Sequence, residues 1–230
     1  MDKQTKKALL AYFEQFLTDK RKNLFDRVLK YRTRHIAVVL EDIYQSQNAS
    51  AVLRSCDLTG VQDVHIIENK YPYDVNPDVA MGSAKWLNLI KYNAGENNTK
   101  DAYNALRKAG YRIVATSPHK RQYTPETLPL DQKVALVFGT ELTGISEEGL
   151  AEADEFIRIP MHGFTESFNI SVSAALLLYT LTGRLRNGEY NWHLSDNEIT
   201  DLKLEWSRRS ISRSEVIEDH FLKQFKSKGE

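Results

Sequence analysis

The 230-residue chain has one cysteine, Cys56, and that scarcity removes two classes of protein at once. No internal disulfide can form and no cysteine cage can hold a metal, so neither a disulfide scaffold nor a zinc ribbon fits. Long apolar runs are also missing. No stretch approaches the ~20 residues that span a bilayer. The opening segment, "MDKQTKKALLAYFEQF", lacks the apolar core and small-residue cleavage site of a secretory signal. These absences lead us to expect a cytoplasmic protein with no membrane partner. The six histidines, at 35, 65, 119, 162, 193 and 220, have no metal-ligand spacing, so no metal is expected. Neither a G-x-G-x-x-G turn, a Walker A loop, an H-E-x-x-H pair nor a G-x-S-x-G elbow occurs. Dinucleotide, P-loop, zinc-hydrolase and serine-hydrolase readings fall with them.

Net charge is absent as well, with 31 basic residues against 31 acidic. Its distribution is uneven. Residues 1–35 hold ten Lys/Arg and four Asp/Glu, residues 36–183 hold twelve and eighteen, and residues 184–230 hold nine of each. A basic segment joined to an acidic body fits an extension that binds a polyanion, and equally a solvated helix face.

What is present is a 41% hydrophobic chain, enough for a real core. Apolar residues recur at helical spacing in 9–17 and again in 24–29. "HIAVVLEDI", "VHIIE", "RIVATS", "KVALVFG" and "EFIRIP" read as strands, with "WLNLIKY" a weaker candidate in the irregular stretch 70–95. "NASAVLRSCDLTG" reads as a helix capped by Asn48 and closed by Gly60. "TKDAYNALRKAGY" reads as another, and "SEEGLAEA" holds a short one. A long apolar helix covers 169–187, and two further helices lie in 194–210 and 212–225. Strands alternating with helices predict an α/β fold with a mostly parallel sheet over 34–187. A basic helical extension (1–33) precedes it and a helical extension (188–230) follows.

Ligands of such sheets bind in loops beyond the carboxyl ends of the strands. Those loops hold a small polar set: Asn48, Arg54, Thr116, Glu141, Ser167 and Asn169. Each has an ordinary structural reading, such as Asn48 as a cap or Arg54 as an i,i+3 partner of Asp57. Together they bring a guanidinium, a carboxylate and two amides to strand ends. The helix after "FIRIP" opens with Ser167, Asn169, Ser171 and Ser173, more weak helix formers than one cap requires.

Three stretches, "NASAVLRSCDLTGV", "ALVFGTELTGIS" and "IPMHGFTESFNISVSAALLLY", resemble in order and spacing the three motifs of the SpoU class of RNA ribose 2′-O-methyltransferases, within the SPOUT superfamily. The resemblance covers residues 35–187, and the terminal extensions are similar to those of the branch that modifies tRNA guanosine. It implies a deep C-terminal trefoil knot, a homodimer, S-adenosylmethionine as cofactor and tRNA as partner. It also implies methyl transfer to the ribose 2′-OH of a D-loop guanosine. Thr116, Gly139, Ile159, Met161 and Phe168 would line the cofactor pocket, and Arg54 would be catalytic. Asn48, Glu141, Ser167 and Asn169 would position Arg54, the ribose and a phosphate. Arginine is an unusual base, so Arg54 acts either as a true base or as an electrostatic positioner. The cofactor's methyl group is already activated, so the class calls for no metal. Two positions depart from the common pattern: Glu166 stands where Gln is frequent and Phe168 where Leu is frequent. A ribosomal-RNA enzyme of the same class, or an RNA-binding protein without catalysis, are the alternatives.

Overall fold

A computed structural model describes residues 1–73 and 82–227, and the chain falls into two compact units. The first combines residues 1–32 with 193–230, so the two terminal segments, separate in sequence, fold together. It contains α1 (Lys3–Phe13), α2 (Asp19–Leu29), α7 (Asp196–Ser210) and α8 (Ser214–Ser227). Caps set the helix starts. The Asp2 carboxylate accepts from the backbone N–H of Gln4 and Thr5, at 2.9 and 3.0 Å. Ser195 and Glu198 form a reciprocal capping box on α7. Leu9, Phe13 and Leu204 make the centre, and Phe25 meets Trp206 edge-on at 5.3 Å. Part of the basic segment is paired: Lys6 with Asp201 at 2.7 Å and Lys22 with Asp19 at 2.7 Å. Lys3, Lys7, Lys20, Arg27 and Lys30 remain exposed.

The second unit, Thr33–Trp192, is a six-stranded, wholly parallel sheet. Its strands are β1 (Ile36–Glu41), β2 (Asp63–Ile67), β3 (Asn88–Tyr92), β4 (Tyr111–Thr116), β5 (Lys133–Phe138) and β6 (Glu155–Ile157), in the order β3-β2-β1-β5-β4-β6. The expected mostly parallel α/β architecture is thus present. Strand β1 is buried throughout because both sheet faces are covered. Ile36, Val38 and Leu40 join one apolar cluster, whereas Ala37 and Val39 join the other. Helices α3 (Ser46–Thr59) and α6 (Ile170–Asn187) pack on the first face through Val52, Leu53, Leu177 and Leu181. Helix α4 (Asn98–Lys108) covers the second with Ala102, Tyr103 and Leu106. The short helix α5 (Glu147–Ala151) follows β5. Part of the weak stretch 70–95 lies outside the described residues, and "WLNLIKY" supplies β3.

One boundary needs correction. Asn48 does not cap α3. The helix starts at Ser46 after Gln45, and the backbone N–H of Asn48 already donates to the Gln45 carbonyl at 3.0 Å. Its side chain is therefore free to leave the helix. Gly60 does close α3, with φ of +82°.

The chain runs from β1 outward through β2 and β3, then returns to build β4, β5 and β6 on the other side. The order reverses between β1 and β5, and the loops leaving these two strands form the crevice of a doubly wound sheet.

Candidate active site

Three segments meet in that crevice. The loop after β1 leads into α3 and brings Asn48, the loop after β5 brings Glu141, and the start of α6 brings Asn169. Asn48 Nδ2 donates to Glu141 Oε1 at 2.7 Å, and Asn169 Nδ2 donates to the same oxygen at 2.6 Å. Asn169 Nδ2 also donates to Asn48 Oδ1 at 3.2 Å, and Asn48 Nδ2 to Gln45 Oε1 at 2.6 Å. Each amide nitrogen has two protons, so both amides are saturated as donors. Glu141 Oε2 makes no hydrogen bond among the described residues and keeps its acceptor capacity.

The helix start explains its own composition. Asn169 caps α6: its Oδ1 accepts from Ser171 N at 2.8 Å and Ser171 Oγ at 2.6 Å. That fixes the orientation of the amide and turns Nδ2 toward Glu141. Ser171 thus holds the cap, and Ser173 faces the neighbouring cavity.

This cavity has a volume of about 470 Å³, within the usual range for small-molecule sites. Thr116, Gly139, Glu141, Ile159, Met161, Ser167, Phe168 and Asn169 line it, together with Glu166 and the apolar Phe138, Ile157 and Leu177. The Thr116 hydroxyl proton is committed, because Oγ1 donates to the Val137 carbonyl at 2.8 Å, so toward a ligand Oγ1 can only accept. At Gly139 an added β-carbon would collide with the backbone of Gly144 and Ile145. The close approach lets Thr140 and Gly144 exchange backbone hydrogen bonds at 2.9 and 3.0 Å, while Gly144 takes φ of +71°. The result is a tight loop that displays Glu141. Arg54 lies elsewhere. It is exposed, is not a wall of the cavity, and forms no hydrogen bond or ion pair among the described residues, with Asp57 or any other partner.

Two contributors escape a reading of the sequence. Glu41, 2% exposed at the end of β1, accepts from Thr99 Oγ1 at 2.7 Å and Ser146 Oγ at 2.8 Å through Oε1, and from Ser146 N at 2.8 Å through Oε2. It anchors the end of the loop that carries Glu141. Gln45 bridges outward, donating from Nε2 to Tyr44 Oη at 3.0 Å. The available signal was a carboxylate inside an apolar strand, which needs buried partners.

The SpoU rRNA Methylase family matches residues 35–179. A tRNA (guanosine(18)-2′-O)-methyltransferase of Borreliella burgdorferi is 43% identical over 91% of this chain and 94% of that protein. A protein of the same name from Thermus thermophilus is 31% identical over 84% and 98%. The crystal structure of an A. aeolicus TrmH/SpoU tRNA modifying enzyme superposes with a TM-score of 0.74 at 28% identity, over 85% of this chain and 98% of that one. The SpoU methyltransferase AviRb from Streptomyces viridochromogenes, in complex with AdoMet, shares the fold at TM-score 0.58 and 20% identity, over 71% and 62%. The match over most of the sheet unit and the 43% identity along nearly the whole chain place this protein in the SpoU methylase family.

Proposed function

We propose that the chain transfers a methyl group from S-adenosylmethionine to the ribose 2′-OH of a D-loop guanosine in tRNA. The observation that carries this reading is the meeting of Asn48 and Asn169 on one oxygen of Glu141, at the mouth of a cavity of cofactor size. The 43% identical relative bears the name of that activity.

The cavity fits the cofactor chemically. Ile159, Met161 and Phe168 would offer apolar walls for an adenine, and the loop backbone around Gly139, which lines the same cavity, would supply polar groups to its edge. S-adenosylmethionine supplies a methyl carbon activated by its sulfonium. The protein's task is to place a 2′-oxygen in line with that carbon and to ease the loss of its proton. Glu141, held by two amides, orients the ribose with Oε2 available as an acceptor. Ser167 contacts the substrate beside it. Arg54 supplies positive charge to a neighbouring phosphate and to the oxygen as negative charge develops on it.

The functional form is a homodimer. On α6, Val172, Leu176 and Tyr179 stand exposed at helical spacing, Tyr179 at 79%, and Leu58 on α3 is 76% exposed. An apolar stripe of this kind is the mark of an interface. Arg54 stands one turn before Leu58, so a second copy covering this face would complete the site with it. Sedimentation that finds a stable, active monomer at micromolar concentration would refute this.

The C-terminal part is a trefoil knot. Strand β6 pairs with β4 on one side and with Tyr123, in the connection from β4 to β5, on the other. That enclosure supports a chain threaded through the connection. The protein works in the cytoplasm, consistent with a buried Cys56 in no disulfide.

The test is incorporation of labelled methyl from S-adenosylmethionine into separated tRNA and ribosomal RNA. Labelled tRNA is expected. Labelling of ribosomal RNA alone would overturn the substrate, and no labelling would overturn the activity.

A further inference from the structure

Beside the cluster lies an aromatic pair that the proposed reaction does not use. Tyr44 and Tyr71 pack at 5.6 Å between ring centroids and 49° between planes, yet each stays about half exposed, at 45% and 46%. Tyr44 follows β1 and Tyr71 follows β2, so both stand at the carboxyl edge of the sheet. A buried acid holds the pair in place. Asp42, 6% exposed, turns the chain at the end of β1 with φ of +52°, a conformation that few residues besides Gly, Asn and Asp adopt readily. Its Oδ1 accepts from the backbone N–H of Asn69 at 2.7 Å, Lys70 at 2.8 Å and Tyr71 at 3.4 Å. This carboxylate thus fixes the short segment that sets Tyr71 against Tyr44.

The pair is also joined to the cluster. Tyr44 Oη accepts from Gln45 Nε2, Gln45 Oε1 accepts from Asn48 Nδ2, and Asn48 Nδ2 donates to Glu141. Three hydrogen bonds link an exposed ring to the carboxylate that orients the ribose.

We propose that Tyr44 and Tyr71 form a stacking surface for a nucleobase of the RNA, that of the target nucleotide or one of its two neighbours. The inference rests on the proposed function and extends it. Proteins that recognise loop RNA take its unstacked bases onto aromatic faces, and the proposed target lies in such a loop. A pair meant only for the core would be buried, as Tyr73 is at 9%.

The experiment compares tRNA binding and methylation by wild type, Tyr44→Ala, Tyr71→Ala, the double alanine variant and Tyr71→Phe. S-adenosylmethionine binding, by calorimetry, controls for folding. The double variant should lose roughly 5- to 150-fold in tRNA affinity or kcat/KM, the range of one missing base stack, with cofactor affinity intact. Tyr71→Phe should retain most of the wild-type value. On tRNAs made abasic at the target or at either neighbour, one of the three should erase the difference between wild type and double variant. A merely structural role gives the same deficit on all three. That result, or a double variant within twofold of wild type on intact tRNA, overturns the stacking surface and leaves the methyltransferase reading standing. A wild-type protein that neither binds nor methylates tRNA overturns both.

Discussion

Glu141→Ala isolates the centre of the site. It removes the oxygen on which Asn48 and Asn169 converge at 2.7 and 2.6 Å. Hydrogen bonds to a charged group contribute about 1.5–3 kcal/mol each. Glu141 is exposed and water competes for its donors, so about 1 kcal/mol each is the reasonable figure here. Losing both leaves about 2 kcal/mol of positioning undone, or roughly a 30-fold fall in the single-turnover rate of methyl transfer. Glu141→Gln keeps an acceptor oxygen but not its charge, which about halves each bond and predicts roughly a 5-fold fall. Folding stability should fall by no more than those same roughly 2 kcal/mol, because the three side chains sit in loops and at helix starts and leave no core cavity. Melting curves and single-turnover methylation at saturating tRNA and cofactor separate the two effects. Asn169→Ala combined with Glu141→Ala should cost clearly less than the sum of the single effects, because the residues share one hydrogen bond. A Glu141→Ala rate within threefold of wild type, or strict additivity with Asn169→Ala, would refute the reasoning.

Arg54→Ala should leave melting and S-adenosylmethionine binding unchanged, because Arg54 is exposed and outside the cavity, while single-turnover transfer falls at least ~100-fold. A rate above a tenth of wild type would remove it from the reaction. Replacing Lys3, Lys7, Lys20 and Lys30 with Gln tests the basic extension without exposing Leu9, Phe13 and Phe25, as deletion of residues 1–32 would. Every lysine that pairs with a phosphate should, once replaced, lower the log–log salt slope of tRNA binding by about 0.7–0.9. An unchanged slope would assign these helices to packing alone. Burial pushes the His65 imidazole down to about 4 from 6.5, beside Tyr92 Oη at 2.9 Å. The unfolded chain therefore binds the extra proton first. This contribution to stability is complete above pH 6.5 and is lost as pH falls toward 4, by up to about 3 kcal/mol. Melting temperatures of wild type and His65→Gln should converge over that window, and parallel curves would contradict the assignment.

The sheet was readable because β1, β4 and β5 are buried on both faces and so appear as unbroken apolar runs such as "IAVVL". The α6 start was readable because its excess of Asn and Ser has no purpose in helix propensity. Spacing could not reveal that Asn48 and Asn169, 121 residues apart, donate to one oxygen. Their convergence depends on β1 and β5 being neighbours and on α6 lying with α3 on the same face of the sheet, which is a matter of strand order and packing. Asn48 looked like a cap because Asn favours that position, yet the helix begins two residues earlier and its amide serves Glu141. Glu41 and Asp42 were absorbed into a strand although both are buried acids. Their partners, Ser146, Thr99 and the 69–71 backbone, come from distant loops that only the fold assembles. The separation of Arg54 from the cavity was likewise invisible, since motif order carries no direction for a side chain.

If this site methylates one ribose oxygen of tRNA, mass spectrometry of nuclease-digested tRNA shows it most directly. After incubation with S-adenosylmethionine, a single added methyl is expected on the 2′-oxygen of a D-loop guanosine, and none when that nucleotide carries 2′-deoxyribose. A methyl group on a base, at a nucleotide outside the D-loop, or on the 2′-deoxy substrate would contradict the assignment.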